Sequence, residues 1–161
     1  MINIIVAYNS NRVIGNNGQI PWKIPEDIKR FKKLTWGGKV IMGRKTWDSL
    51  PSQFKPLPNR TNIVVTRQNN WHEDGCSIFS SLDSAFDYAK ELSTDPVWVI
   101  GGAEIYNQTL QKGIVDKIYA TEVVDDSAGD AFFPKINYDD WDIDIELFGK
   151  YNFVTYTKTQ I

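Results

Sequence analysis

The sequence predicts an α/β fold with a mainly parallel sheet and helices on both faces. Apolar, β-branched runs alternate with amphipathic segments along most of the chain, which is the order of strands and helices in such folds. The last two apolar runs are separated by little more than Gly149, which predicts an antiparallel hairpin at the C-terminus. We expect one domain over residues 1–161, because no composition shift or repeat divides the chain.

Strands are predicted where short runs of Ile, Val and aromatic residues are bounded by turn-forming residues. The earlier runs are apolar at successive positions, which is typical of strands buried on both faces. The run 141–147 instead alternates apolar and charged residues and predicts a half-exposed strand. The predicted strands are Ile2–Tyr8, Lys39–Met42, Asn62–Thr66, Ser77–Phe79, Val97–Ile100, Ile118–Val124, Trp141–Leu147 and Asn152–Thr157.

Helices are predicted where apolar residues recur at helical spacing, and loops where Gly, Pro and Asn cluster. Pro25 fits the first turn of a helix that runs to Leu34, and Ser81 is a candidate N-cap for a second helix. The other predicted helices are Leu82–Leu92, Arg44–Leu50 and Ala103–Leu110, and the predicted loops are Asn9–Pro21 and Ser52–Arg60.

Asp27 stands out in the first helix because it falls within the apolar face. At about 100° per residue, the opposite face carries charged side chains and is expected to be solvated. A buried carboxylate is costly unless it is paired, so Asp27 either accepts a nearby backbone N–H or binds a ligand. The predicted apolar face consists of Ile24, Ile28, Phe31, Leu34 and Thr35, and the predicted solvated face of Glu26, Lys29, Arg30 and Lys33.

The distribution of charge favours a small polyanionic ligand. Residues 1–67 hold 12 Lys and Arg against 3 Asp and Glu, whereas residues 68–161 hold 6 against 17. A basic half suits phosphates, while the acidic chain as a whole (pI about 5.4) lacks any nucleic-acid-binding motif. An unevenly charged solvated surface is the alternative interpretation.

The composition also argues against membrane and metal-binding classes. No apolar run approaches the roughly 20 residues needed to span a bilayer, and the N-terminus lacks the basic region of a signal peptide. The single Cys76 and the single His72 provide no metal-ligand spacing. We therefore expect a cytoplasmic protein that works without a metal and, since nothing demands more, as a monomer.

Two segments combine a strand, a glycine and a helix start, namely those around Gly43 and around Gly101-Gly102. A glycine at the end of a parallel strand lets the backbone approach a ligand, and the helix that follows offers free N–H groups to phosphate. Two such segments favour a dinucleotide, although neither is a Gly-x-Gly-x-x-Gly or Walker motif. Structural glycines are the alternative for each segment alone.

A phosphate monoester beyond the diphosphate is predicted from basic and hydroxyl side chains that follow two strands. They are Arg44 and Lys45 after one strand, and Thr66 with Arg67 at the end of another. Two hydrogen bonds to charged partners, at roughly 1.5–3 kcal/mol each, would favour NADPH over NADH by roughly 10²- to 10⁴-fold. Ordinary surface basicity is the alternative.

Taken in order, these motifs resemble dihydrofolate reductase along nearly the whole chain, and the length is similar to that of bacterial and phage-type members. The segments that carry the resemblance are Ile20-Pro21-Trp22, Pro25-Glu26-Asp27, Phe31-Lys32, Val40-Ile41-Met42-Gly43-Arg44-Lys45-Thr46-Trp47, Leu57-Pro58-Asn59-Arg60, Ile100-Gly101-Gly102-Ala103-Glu104-Ile105-Tyr106, Tyr119-Ala120-Thr121 and Gly129-Asp130-Ala131-Phe132-Phe133-Pro134.

The resemblance implies an eight-stranded, mostly parallel sheet and the reduction of dihydrofolate to tetrahydrofolate by NADPH. It implies that Asp27 binds the pterin, that Thr121 braces this carboxylate and that Trp22 holds a nearby water. Residues around the pterin and aminobenzoyl rings, and Arg60 as the clamp for the glutamate α-carboxylate, complete the substrate site. The implied substrate residues are Ile5, Ala7, Asp27, Ile28, Phe31, Lys32, Leu50, Leu57, Arg60, Ile100, Tyr106 and Thr121.

The same resemblance implies a cofactor site that includes a mobile lid over the nicotinamide, formed by Asn9–Pro21. It also implies a cis peptide bond between Gly101 and Gly102. The implied cofactor residues are Ala7, Ile14, Gly15, Ile20, Gly43, Arg44, Lys45, Thr46, Thr66, Arg67, Gly101, Gly102, Ala103, Glu104 and Ile105.

Two other functions are compatible with parts of this pattern. A riboflavin-pathway reductase of the same fold would share NADPH and the Gly43-Arg44-Lys45-Thr46 type of motif, but it has no reason to combine Trp22 and Asp27 with Thr121. An inactive nucleotide- or folate-binding relative would not need to keep Asp27, Trp22 and the glycine pair together.

Overall fold

Ten strands are present in the computed structural model, which describes residues 1–160; the last residue of the predicted domain, 161, lies outside them. The eight predicted strands are all confirmed to within one or two residues at each end. The strands are β1 (Ile2–Asn9), β2 (Val13–Gly15), β3 (Lys39–Gly43), β4 (Thr61–Val65), β5 (Ser77–Phe79), β6 (Val97–Val99), β7 (Lys117–Val123), β8 (Ala131–Phe132), β9 (Trp141–Leu147) and β10 (Tyr151–Lys158).

Eight of these strands form one sheet in the order β5-β4-β3-β6-β1-β7-β10-β9. The first six strands are parallel to one another, while β10 runs antiparallel to both β7 and β9. The predicted α/β class, the mainly parallel sheet and the antiparallel C-terminal hairpin are therefore confirmed.

The helices lie between the strands as predicted. Pro25 occupies the first turn of the first helix, and the Ser81 hydroxyl accepts a hydrogen bond from the Ser84 backbone N–H at 3.1 Å, which confirms it as an N-cap. A 3₁₀ turn over Ser52–Phe54 lies within the predicted loop Ser52–Arg60. The helices are α1 (Pro25–Thr35), α2 (Arg44–Ser49), α3 (Leu82–Leu92) and α4 (Ala103–Gln111).

The sheet is buried on both faces because successive residues of its central strands enter two different cores. Ile4 and Val6 of β1 pack with α3 and α4 on one side, while Ile5 packs with Met42 and Trp47 on the other. This alternation explains the continuous apolar runs, since neither face of these strands meets solvent. Because both faces of the central strands are covered, a ligand has access at the edge formed by the carboxyl ends of β1, β3, β4 and β6.

The prediction that Asn9–Pro21 is only a loop was wrong in its middle. Residues 13–15 form β2, which pairs antiparallel with β8 in a separate two-stranded sheet. A three-residue strand is too short to show periodicity, and its partner β8 lies more than a hundred residues away along the chain.

Predicted burial was wrong at three places. Ile28 of α1 is 57% exposed, although its helical spacing places it on the predicted apolar face. Arg30, expected on the solvated face, is half-buried because its long side chain folds over an aromatic ring of β10. Residues 142–147 of β9 are exposed on both faces, since β9 is the last strand of the sheet.

In residues 1–160, no helix is both long and apolar enough to cross a membrane.

Candidate active site

A cleft of about 1040 Å³ follows the carboxyl ends of the parallel strands. Its walls come from the end of β1, from the segment that includes β2, and from the residues that follow β3, β4 and β6. The motifs meet here because parallel strands all end at one edge of the sheet. All of the residues predicted for the cofactor line this cleft, from Ala7 to Ile105.

The floor of the cleft is made of glycine backbone. The Gly43 N–H donates to the Gly101 carbonyl at 2.9 Å, which joins the ends of β3 and β6. The Gly101–Gly102 peptide bond is cis, as the resemblance implied. A Cβ on Gly101 would lie 3.3 Å from the Tyr106 ring, and the φ of Gly101 is +120°, which L side chains rarely adopt. The backbone conformation and the packing of Tyr106 therefore both require glycine at position 101.

The basic side chains of the cleft differ in how far their charge is neutralised. Arg44 pairs with Asp48 at 2.7 Å, and Arg67 pairs with Glu104 at 3.1 Å. Lys45 makes no ion pair with any residue of the described chain. The Arg67–Glu104 pair is largely exposed, so water screens it and a stronger anion can compete for Arg67. This end of the cleft therefore has the donors for a phosphate.

The residues at the far end of this cleft were not predicted from the sequence. Its walls continue into the start of α3 and the last turns of α4. β5 ends at the same edge of the sheet, but serines follow it and not glycine or a basic residue, so its end gave no signal in the sequence. The missed lining residues at this end are Ser80, Ser81, Leu82, Asp83, Gln108 and Lys112.

Tyr106 joins the cleft to the predicted pterin site. The residue is buried in α4, and its hydroxyl donates to the Ile5 carbonyl at 2.8 Å. Ala7, Ile100 and Tyr106 all line the cleft, so this end of the predicted substrate site and the predicted cofactor site share a boundary. A ring bound at one site would lie beside a ring bound at the other.

Asp27 lies next to Thr121, as the resemblance implied. The buried Thr121 hydroxyl donates to one oxygen of the Asp27 carboxylate at 2.5 Å. β7 places Thr121 directly opposite Ala7 of β1. The second Asp27 oxygen accepts no hydrogen bond from the described residues, which leaves it for a ligand.

The electrostatics of Asp27 are dominated by burial. Burial raises the pKa of Asp27, because it removes water from around the charged form, while the hydrogen bond from Thr121 and the charge of Arg30 lower it. Burial has the larger effect, so ionised Asp27 is destabilised in the ligand-free protein. A ligand with two N–H donors would relieve this cost.

The apolar residues predicted around the substrate rings share one side of the sheet. Ile5 and Leu57 are buried there, and half-buried side chains pack against the same cluster. Ile28 is exposed and does not belong to this cluster. Exposed Lys32 lies with its ammonium 5.3 Å from the Trp36 ring, and half-buried Trp22 makes no hydrogen bond to the described residues. The half-buried members of the cluster are Phe31, Leu50 and Ile100.

Arg60 is held at the outer end of this apolar wall. Its guanidinium donates to the Thr35 hydroxyl at 3.1 Å and to the Pro58 carbonyl at 2.8 Å, and it lies 6.0 Å from the centre of the Phe31 ring. It makes no ion pair within residues 1–160. A guanidinium that is fixed but not neutralised suits a carboxylate ligand.

Asn9 fixes the base of the predicted lid. Its side-chain oxygen accepts the backbone N–H groups of Asn11 and Val13, both at 3.0 Å. Its side-chain amide donates to Asp125 at 3.2 Å and to the Ser127 carbonyl at 2.9 Å. One buried residue at the end of β1 therefore holds both the base of the lid and the segment that leads to β8.

The tip of the lid segment also contacts this second segment. The Asp130 N–H donates to the Gly15 carbonyl, and the Asn17 N–H donates to the Asp130 carboxylate, both at 3.1 Å. Gly129 permits this contact, since a Cβ there would lie 2.3 Å from a methyl of Val13. The segment is therefore seated against β8.

Comparisons with known proteins agree with this geometry. The family model for dihydrofolate reductase matches residues 1–157. The chain is 41% identical to a dihydrofolate reductase of Haemophilus influenzae over 91% of this chain and 87% of that protein. It is 38% identical to one of Bacillus subtilis over 88% of this chain and 80% of that protein.

A solved structure gives the same result for the fold. It is a dihydrofolate reductase from Enterococcus faecalis complexed with NADP(H) and RAB-propyl, and it superposes with a TM-score of 0.87 at 27% identity, covering 99% of this chain and 97% of that one. The sequence motifs, the sheet order and the cleft therefore have one explanation. The chain belongs to the dihydrofolate reductase family and is an NADPH-dependent oxidoreductase.

Proposed function

We propose that this protein reduces 7,8-dihydrofolate to 5,6,7,8-tetrahydrofolate and that Asp27 binds the pterin ring. The observation that carries the proposal is the arrangement of Asp27, which has one oxygen bonded to Thr121 and the other without a protein donor, beside a cleft suited to a dinucleotide. A pterin offers two adjacent N–H donors, which is what this carboxylate lacks.

The apolar side chains around Asp27 orient the substrate. Ile5 and Leu57 exclude water from one face of the ring, and Phe31 and Leu50 lie along the path of the aminobenzoyl group. Arg60 binds the α-carboxylate of the glutamate, which fixes the substrate at the end remote from the reaction. Two anchors hold the ring in one orientation, which raises the effective concentration of reacting groups.

The chain's residues fit NADPH. The glycine floor admits the diphosphate, α4 offers the backbone N–H groups of its first turn, and Lys45 with Arg67 binds the 2′-phosphate. When bound, NADPH supplies a hydride from its nicotinamide C4 to pterin C6. Selectivity over NADH follows from the charge of Lys45, which no acidic residue pairs with in the part of the chain that the structure describes.

The proton for pterin N5 comes from water. Asp27 accepts hydrogen bonds from the pyrimidine side of the pterin and is therefore not placed to reach N5, and neither His72 nor Cys76 lines the cleft. Ionised Asp27 raises the basicity of the bound ring, so N5 takes a proton from water, which Trp22 helps to hold. The lid excludes other water from the path of the hydride.

We also propose that the protein acts as a monomer in the cytoplasm. Every residue assigned above to substrate or cofactor comes from one chain, so the site is complete without a second copy. Size-exclusion chromatography with light scattering tests the monomer, and cell fractionation tests the location.

The reaction is tested by mixing the purified protein with NADPH and dihydrofolate and following the loss of NADPH absorbance. We expect oxidation of NADPH that depends on dihydrofolate. Turnover of a ribosylated pyrimidine in place of dihydrofolate would favour the riboflavin-pathway reductase. Binding of both ligands without turnover would favour the inactive relative.

A further inference from the structure

Arg30 is a half-buried cation next to the candidate site that the proposed reaction does not use. It lies three residues after Asp27 in α1, and residues at this spacing are neighbours on a helix surface. Its guanidinium carbon lies 4.2 Å from the centre of the Phe153 ring and 5.7 Å from that of Tyr119. The side chain is therefore held over β10 and β7 and does not extend into solvent.

Arg30 makes no ion pair and no side-chain hydrogen bond with the described residues, although it is half removed from water. Burial lowers the pKa of Arg30, because it disfavours the charged form, and the nearby charges of Asp27 and Glu146 raise it. Stacking on Phe153 offsets part of the desolvation cost. The positive charge of Arg30 therefore acts on Asp27, which lies three residues before it on the same helix, while Glu146 lies on β9.

We propose that Arg30 is a positioning residue, whose guanidinium is fixed on the Phe153 ring so that its charge keeps the Asp27 carboxylate ionised for the pterin. This inference rests on the proposed role of Asp27 in binding the substrate. Arg30 acts through the carboxylate and does not touch the ring.

Other groups also face Asp27, and their effects have known signs. Thr121 on β7 donates a hydrogen bond and favours the ionised form. Burial raises the pKa of Tyr106 on α4 and of Tyr151 on β10, and the charge of Asp27 raises the pKa of each phenol further, together with Glu26 at Tyr151. Burial works in the opposite direction to Thr121 and Arg30. Removing Arg30 therefore takes away the only nearby positive charge that acts on Asp27 among residues 1–160.

The size of the effect follows from Coulomb's law. For two unit charges roughly 6–8 Å apart in a medium with an effective dielectric constant of about 40–80, loss of one charge changes proton binding to the other group roughly three- to tenfold, and we expect an effect of this size for Arg30 on Asp27. A positive charge on the exposed face of α1 is separated from Asp27 by water and is screened, so its loss should change proton binding less than about 1.5-fold.

The experiment is a carboxyl ¹³C NMR titration of Asp27 in the ligand-free protein, with the resonance assigned through Asp27→Asn. We expect Arg30→Met to strengthen proton binding about three- to tenfold and Arg30→Lys to restore it to within about twofold of wild type. Lys33→Met removes the same charge from the exposed face and serves as the matched control. Equal titration of Asp27 in Arg30→Met, Lys33→Met and wild type would overturn the proposal.

The pH dependence of kcat/KM is a second measurement, and it distinguishes the electrostatic role of Arg30 from a role in packing alone. In Arg30→Met the acid limb of the kcat/KM profile should move to higher pH, and Arg30→Lys should move it back, whereas a structural defect would lower the rate at all pH values alike. If Arg30→Met does not fold, Arg30→Gln and Arg30→Lys give the same comparison, and equal titration of Asp27 in those two variants would count against the proposal. Because the NMR titration needs no turnover, it reports on Arg30 even if dihydrofolate is not the substrate.

Discussion

Asp27→Asn should separate the stability of this protein from its activity, with the two quantities moving in opposite directions. Burial raises the pKa of Asp27, so the folded state binds this proton more tightly than the unfolded state does. As pH rises from the unfolded value through the raised folded value, the ionised group therefore destabilises the fold, and the loss persists at neutral pH. An amide carries no charge and removes this penalty, while its oxygen still accepts the Thr121 hydroxyl.

The loss of activity can be estimated from the hydrogen bonds. The free carboxylate oxygen of Asp27 is replaced by a group that donates, so both N–H donors of the pterin lose a charged acceptor. At roughly 1.5–3 kcal/mol for each bond, the transition state loses about 3–6 kcal/mol, which is roughly 10²- to 10⁴-fold in kcat/KM.

Thermal unfolding across pH and the pH dependence of kcat/KM measure the two effects. We expect the Tm of Asp27→Asn to equal or exceed that of wild type at neutral pH, and the difference to vanish in acid below the pKa of an unfolded Asp. Thr121→Val is a matched control that keeps the charge and should raise the pKa of Asp27 further. A variant that retains the wild-type pH profile, or that is less stable than wild type at neutral pH, would refute the reasoning.

Three further changes test other parts of the site. Arg60→Leu should raise KM for dihydrofolate about tenfold, because one charged hydrogen-bonded contact is lost, and should leave a pterin substrate without a glutamate unaffected; equal effects on both substrates would exclude the clamp. Lys45→Met should weaken NADPH about tenfold and NADH hardly at all in fluorescence titrations, and equal weakening of the two would remove the 2′-phosphate assignment. Gly129→Ala should lower the free energy of unfolding by about 1–3 kcal/mol, seen as a lower Tm, because the new Cβ forces Val13 to move. It should also slow hydride transfer, because the lid segment loses its contact with the segment before β8. A wild-type Tm would show that β2 and β8 adjust without cost.

The sequence was sufficient to predict the sheet and a cleft at the ends of its strands because both depend on local signals. Continuous apolar runs identified the buried strands, and a glycine at the end of a strand identified where backbone meets ligand. Parallel strands bring such ends together whatever their order in the sheet. The alignment of Gly43 with Gly101 thus follows from two independent local motifs.

Residues whose environment depends on distant parts of the chain were predicted poorly. Arg30 lies on the charged face of α1 by periodicity, but Phe153 of β10 receives its guanidinium. The β2–β8 pairing joins segments too short to show a pattern. Ile28 has the spacing of a core residue, yet it is largely exposed. Helical periodicity identifies a face of a helix but cannot say how much of that face the rest of the chain covers.

The four hydrogen bonds of Asn9 determine where the segment over the cleft can bend. Residues up to Val13 are tied through this one amide to the sheet and to the 125–127 segment, β2 is tied to β8, and the Asn17 N–H donates to Asp130. Any opening that leaves these bonds intact must therefore pivot beyond Asn17, and only the part that carries Ile20 swings. Substitutions at Asn9 would instead release the whole segment from its root, so a residue outside the lining of this cleft would set how often the cleft is exposed to water.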